Sequence, residues 1–217
     1  MRKANYDKFP STKLTGMLVQ GWDSIISMLK EKMDARKVLA VDLYTGVYEE
    51  EVLDAFSKEF SGRVMNVRDL MKPEKEIQAL TERFMTEDVL FGYVTNLKLE
   101  DYLDVDKVAA ARKQISEAKE TIVIIGPGAA VVAPQDAMVV YADMARWEIQ
   151  QRFRRHEVKA LGIDNRNDAV SLQYKRGYFN DWRVCDRYKE RLFDRVEFWI
   201  ATHAVSYTHL RAHETVL

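Results

Sequence analysis

The chain has 217 residues, of which 47% are hydrophobic and 31% charged, so it can bury a substantial core as a soluble globular domain. A net charge of −1 excludes bulk electrostatic steering towards nucleic acid or an anionic membrane. The lone cysteine, Cys185, excludes an internal disulfide and a cysteine-ligated zinc site, and it points to a reducing compartment.

No apolar run approaches the ~20 residues of a membrane-spanning helix. The basic start "MRKANYDKFPSTK" lacks the apolar segment of a signal peptide. The expectation is a cytoplasmic protein with no membrane or nucleic-acid partner. Arg and Lys concentrate between Arg146 and Arg195, whereas Glu49–Glu51 and Glu100–Asp106 are acidic.

In chain order, "GWDSIISMLKEKM" has apolar residues at helical spacing, and "KVLAVDL" reads as a buried strand. "YTG" turns the chain into the helix "EEEVLDAFSKEF", which Gly62 ends before a second strand, "RVMNV". Pro73 opens the helix "PEKEIQALTERFM", and "DVDKVAAARKQISEAKE" is helical as well. "TIVIIGPGAA" is a buried strand running into a glycine turn, and "AMVVYADM" is a further strand. Helices are expected over 145–154 and in "NDWRVCDRYKERLFDR", followed by a last strand, "VEFWIAT". Strands alternating with helices indicate an α/β domain with a mainly parallel sheet flanked by helices. The expected division is an N-terminal extension and helix over 1–36, the α/β domain over 37–203, and a tail over 204–217.

That tail, "AVSYTHLRAHETVL", does not continue the logic of the domain. It resembles a read-through segment and is set aside as an artefact, with the natural chain expected to continue beyond His203. His209 and His213 are four apart, a spacing that can hold a metal on a helical face, but no glutamate general base stands between them.

The stretch "VDLYTGVYEEE" has the outline of a phosphate-binding turn: strand, glycine, helix. With its second glycine on Gly46, the P-loop pattern puts Val41 where the first glycine belongs, Val47 for the lysine and Tyr48 for the hydroxyl residue. Three glutamates then occupy the field a phosphate would use; they suit the helix dipole, and they repel a triphosphate. The turn therefore reads either as a self-stabilised helix start or as a residual site for another anion or a sugar. The second glycine turn, "IGPGAAVVAP", lies at the carboxyl end of a strand, where α/β proteins bind ligands, and reads equally as a tight turn.

"RWEIQQRFRRHEVKALGIDNRN" gathers Arg146, Arg152, Arg154 and Arg155; on a helix Arg152 and Arg155 share a face that can grip a phosphate or form a solvated surface. Asp69, past the second strand, can cap a helix, bind magnesium or act as a base. His156 and Cys185 lack visible catalytic partners and read as structural. The ligand-binding candidates are thus Asp42, Thr45, Gly46, Asp69, Arg152, Arg154 and Arg155.

Residues 1 to about 203 resemble the N-terminal region of the long class I mannose-6-phosphate isomerase-like proteins. The stretches that carry the resemblance are "YDKFP", "GWDSII", "VDLYTGVYEEEV", "LFGYVTNLKLEDYLD" and the run from "VVYADMARWEIQQRFRRHEV" to "RLFDRVEFWI". The resemblance implies that a cupin barrel follows and is the partner, carrying zinc and the isomerase residues, none of which matches a position here. The region itself resembles a uridine-kinase or phosphoribulokinase type P-loop domain of three layers. "VDLYTG" stands at the phosphate loop, Asp69 at the catalytic aspartate and "RRHEVKALGIDNRN" at an arginine lid. Two expectations follow. One is a catalytically degenerate, kinase-like accessory domain of an isomerase, with no cofactor of its own, that packs on the barrel or senses a sugar phosphate or nucleotide. The other is an active small-molecule kinase that binds Mg-nucleotide through an unorthodox phosphate site, with Asp69 catalytic.

Overall fold

In a computed structural model, residues 18–202 are described in full and residues 211–214 through their backbone. The strands are β1 (Leu18–Val19), β2 (Val38–Leu43), β3 (Arg63–Asn66), β4 (Ile122–Gly126), β5 (Met138–Asp143), β6 (Val196–Ala201) and β7 (Arg211–Glu214). They form one sheet in the order β1-β7-β6-β5-β2-β4-β3. The five strands from β3 to β6 are mutually parallel, and β7 and β1 close one edge in antiparallel fashion.

The apolar runs explain this order. β2 and β4 are buried along their whole length and β5 along all but its last residue, as strands covered by helices on both faces must be. β6 alternates buried with half-buried residues, fitting its place next to the edge pair. The helices are α1 (Trp22–Met33), α2 (Glu49–Glu59), α3 (Glu74–Met85), α4 (Val105–Glu117), α5 (Ala129–Val132), α6 (Arg146–Arg154), α7 (Val170–Arg176) and α8 (Trp182–Leu192). The α/β class and the parallel sheet flanked by helices match the sequence expectation. α1 packs on α2 through an edge-on pair of Trp22 and Phe56, with ring centroids 6.1 Å apart.

Two features differ from the sequence reading. The helix expected from Asn180 is the second half of a longer helical run, in which a π-helical turn, Gly177–Asp181, joins α7 to α8. Its wider pitch brings residues five apart onto one side, so Arg176 Nε stands 3.5 Å from Asp181 Oδ1, both side chains being buried. Gln173, Lys175, Arg176, Asn180 and Asp181 are all buried polar residues, so the apolar periodicity that marks a helix fails here. The second feature is β7. Of the tail 204–217, only the backbone of 211–214 is described, and it is extended, pairing with β6 and β1. The reading of His209 as a metal ligand lies outside the described residues, as does the N-terminal extension before Leu18.

Candidate functional site

The carboxyl ends of β2 and β4 carry the two glycine turns, and that of β5 leads into α6. At the first, Gly46 adopts φ +92°, and a Cβ on it would lie 2.8 Å from Ile149 Cγ1 of α6. The glycine is thus required by its backbone conformation and by the helix seated on the turn. Arg152, three residues along α6 from Ile149, reaches over the same turn. Its Nη1 donates to the Gly46 carbonyl at 2.8 Å, Nη2 to the Thr202 carbonyl at 3.1 Å and Nε to Glu148 at 3.2 Å. The guanidinium also lies over the Tyr48 ring, 3.6 Å from its centroid. Thr45 is buried beside it. The cavities flanking the turn measure about 20 and 10 Å³, room for a water molecule at most.

The three glutamates that follow each have their own partner. Glu49 forms a two-pronged ion pair with Arg68, whose Nη2 also donates to the Ala160 carbonyl at 3.2 Å. Glu50 accepts from Lys159 at 2.7 Å, a contact that lowers its pKa. Glu51 accepts from the Trp22 indole at 2.7 Å. The acidic start of α2 therefore ties α1, the segment after β3 and the segment after α6 to one helix end.

The second turn is an anion cradle with a resident anion. Gly128, at φ +90°, and Ala130 point their amides at Asp42 and donate to its two oxygens at 3.0 and 2.9 Å. Tyr188 of α8 donates to the same carboxylate at 2.6 Å. Asp42 is fully buried, and burial pushes its pKa up to about 6 against the pull of these three donors. The amides of the second glycine turn are thus taken up by a carboxylate of the protein itself.

The other candidates are scattered. Asp69 is exposed in the 3-10 turn Val67–Leu70, and among the described residues its side chain makes no hydrogen bond. Arg154 is exposed and donates to Gln151 at 3.1 Å. Arg155 is exposed and paired with Glu148 at 3.1 Å and Glu157 at 2.9 Å. Arg152 and Arg155 do share Glu148, but the first is buried against backbone carbonyls while the second faces solvent. His156 Nδ1 contacts the Arg166 carbonyl at 2.5 Å. Cys185 is buried, and burial raises its thiol well above the ordinary range. Among the described residues no group of three or more His, Cys, Asp or Glu is placed to hold a metal ion.

Sequence reasoning missed Ile149 and Tyr188, the residues that close the two turns. Ile149 was legible only as an apolar helix position, and Tyr188 as one aromatic among several. A cavity of about 1020 Å³ opens at the opposite end of the sheet, between Lys32–Val38, the last turns of α4 and the segment Val132–Ala137. Ligands of open α/β sheets bind at the carboxyl ends of strands, so this hollow is remote from the expected chemistry.

The sequence model of a family described as "Domain of unknown function (DUF8485)" matches residues 21–216. The chain belongs to that family. The match to DUF8485 takes in both glycine turns, α6 with Ile149 and Arg152, and β7. No curated protein matches the chain.

Proposed function

We propose that this DUF8485 domain is a non-catalytic, kinase-like module that serves as an accessory domain of a mannose-6-phosphate isomerase-type protein. The observation that carries the non-catalytic part is the closure of the first glycine turn by α6. Ile149 fills the space over Gly46, and Arg152 takes its carbonyl. A phosphate loop must instead present free amides and a lysine to the β- and γ-phosphates. The strand–turn–helix setting of a P-loop is retained, since β2 is a central parallel strand whose turn leads directly into α2. The accessory part rests on the resemblance of residues 1 to about 203 to the region that precedes the cupin barrel in those isomerases. The barrel, with its zinc, is the partner, and the domain needs neither Mg-nucleotide nor metal of its own.

Two measurements test this. Thermal unfolding with Mg-ATP, Mg-ADP, uridine and mannose 6-phosphate, alongside an assay for ADP release, is expected to give no shift and no turnover. A ligand at a hundred times its dissociation constant stabilises by ~2.7 kcal/mol, which such a scan resolves. Nucleotide-dependent stabilisation with ADP release, abolished by Asp69→Ala, would establish the active-kinase reading instead. Sequencing the source locus past codon 203 tests the accessory part: a cupin-coding region in frame supports it, and its absence overturns it.

A further inference from the structure

Between α3 and the 3-10 turn Leu99–Tyr102, the chain turns five large apolar side chains into solvent. Val89, Leu90, Phe91, Tyr93 and Val94 are 74%, 67%, 68%, 69% and 54% exposed. The backbone beneath them is held from every side. Asp88 Oδ1 accepts the amides of Leu90 and Phe91, each at 2.7 Å, and Thr86 Oγ1 donates to the Phe91 carbonyl at 2.6 Å. The amides of Tyr93 and Thr95 donate to the Phe84 and Phe179 carbonyls at 2.8 and 2.9 Å. Lys175, itself buried, donates its ammonium to the carbonyls of Thr86 and Asp88. Thr86 has φ +52°, a strained conformation for a β-branched residue. Gly92 admits no side chain, because a Cβ there would lie 2.4 Å from the Phe84 carbonyl oxygen.

A buried ammonium and a strained threonine both carry a free-energy cost. Here they fix a loop whose apolar side chains gain nothing in the isolated chain. Contiguous exposed apolar surface of this kind marks an interaction site. The patch continues through Phe179, whose ring touches Gly92 and stands edge-on to Tyr178, to the stacked, exposed pair Tyr174–Tyr178.

We propose that this face is a self-association surface, covered by a second copy of the chain around a two-fold axis. Two arguments select that occupant. With aromatic side chains of roughly 150–250 Å² each, the loop and the two tyrosines expose on the order of 800 Å², the area each partner of a standard interface buries. The face is also self-complementary in charge. Glu82 and Arg83 near the end of α3 and Glu87 just after it are exposed and Arg183 is half-exposed, and the guanidinia of Arg83 and Arg183 lie over the Phe84 and Tyr178 rings at 4.6 and 4.7 Å. Among the described residues none of the four is in an ion pair. A two-fold axis can set the carboxylates of one copy against the guanidinia of the other. This proposal is independent of the accessory-domain reading.

Sedimentation velocity of the full chain up to about 100 µM tests it, because interfaces of this size associate at micromolar concentrations or below. The expected species is a dimer. Phe91→Asp and, separately, Leu90→Asp are expected to give folded monomers whose thermal midpoints no longer rise with protein concentration as the wild type's does, while Val105→Asp, at a residue equally exposed elsewhere, stays dimeric. A dimer that survives both loop substitutions overturns the proposal. So does a chain that remains monomeric, whether or not the loop then binds phosphatidylcholine vesicles or another protein.

Discussion

Tyr188 and Asp42 stand 146 positions apart in sequence, yet the phenol of one donates to the carboxylate of the other at 2.6 Å in the centre of the core. The contact ties α8 to the central strand and completes the set of donors that lets a charged group persist without solvent. Tyr188→Phe removes one donor and little volume. It is expected to lower stability by about 1–3 kcal/mol at neutral pH, where Asp42 is ionised. Urea unfolding at pH 7 and at pH 4 checks this, since the cost should shrink once the carboxyl is protonated. A cost that does not change with pH would mean that Asp42 is already neutral at pH 7.

The raised pKa of Asp42 also has a direct signature. Its folded value is about 6 and its ordinary value 3.8, so the folded state holds this proton more tightly. The resulting stability is fully present below about pH 4 and is lost as pH rises through 6. The loss amounts to about 3 kcal/mol for a shift of this size in a fully buried group. Asp42→Asn removes the titration. It also turns an amide donor towards the Gly128 and Ala130 amides, so the variant is less stable throughout. Subtracting its stability–pH curve from that of the wild type should leave a fall between pH 4 and 6, and a rise there would refute the assignment.

Arg152 is a bracket between the first glycine turn, β6 and α6. Arg152→Met strands the Gly46 and Thr202 carbonyls and leaves Glu148 with only the exposed Arg155. The expected loss is about 3–5 kcal/mol. Arg152→Lys should recover only part of it, because an ammonium cannot reproduce a fork that spans two carbonyls and stacks on Tyr48. Chemical denaturation of the three proteins measures this; if Arg152→Met unfolds at the wild-type midpoint, the bracket is not structural.

The parallel sheet was legible because its central strands are runs of apolar residues interrupted only by Asp42 and Asp143 near their carboxyl ends, "VLAVDL", "IVIIG" and "MVVYAD", separated by amphipathic helices. The resident partners at the carboxyl ends were not. That the P-loop pattern fails at Val41, Val47 and Tyr48 is local and readable in the sequence. That the carboxylate of Asp42 turns to Gly128 and Ala130 depends on the lateral pairing of β2 with β4, which periodicity does not encode. The arginine cluster shows the same limit. Arg152 and Arg155 are adjacent on a helix by spacing alone, but only the packing of α6 on the turn decides that one is buried and the other solvated. The helical run 170–192 was half missed for a further reason, since polar residues buried around a π-turn erase the apolar stripe.

The closure of the first turn by α6 makes a quantitative prediction about Gly46 and Ile149. Gly46→Ala brings a Cβ to within 2.8 Å of Ile149 Cγ1 and places alanine at φ +92°. The steric part costs about 1–3 kcal/mol and the left-handed backbone a further 1–2 kcal/mol or so. Ile149→Ala alone opens a cavity and costs about 2–5 kcal/mol. In the double variant the new methyl enters space that the isoleucine has vacated, so the steric part falls to the 3.3 Å approach of the Ile149 Cβ that alanine keeps, beside the backbone strain. The two substitutions should therefore be less than additive by about 1 kcal/mol or more, which a double-mutant cycle by denaturant unfolding resolves. Strict additivity would mean that α6 does not rest on the turn. Coupling of the expected sign would assign the glycine of "YTG" to the approach of a helix, the role that in a phosphate loop belongs to the nucleotide.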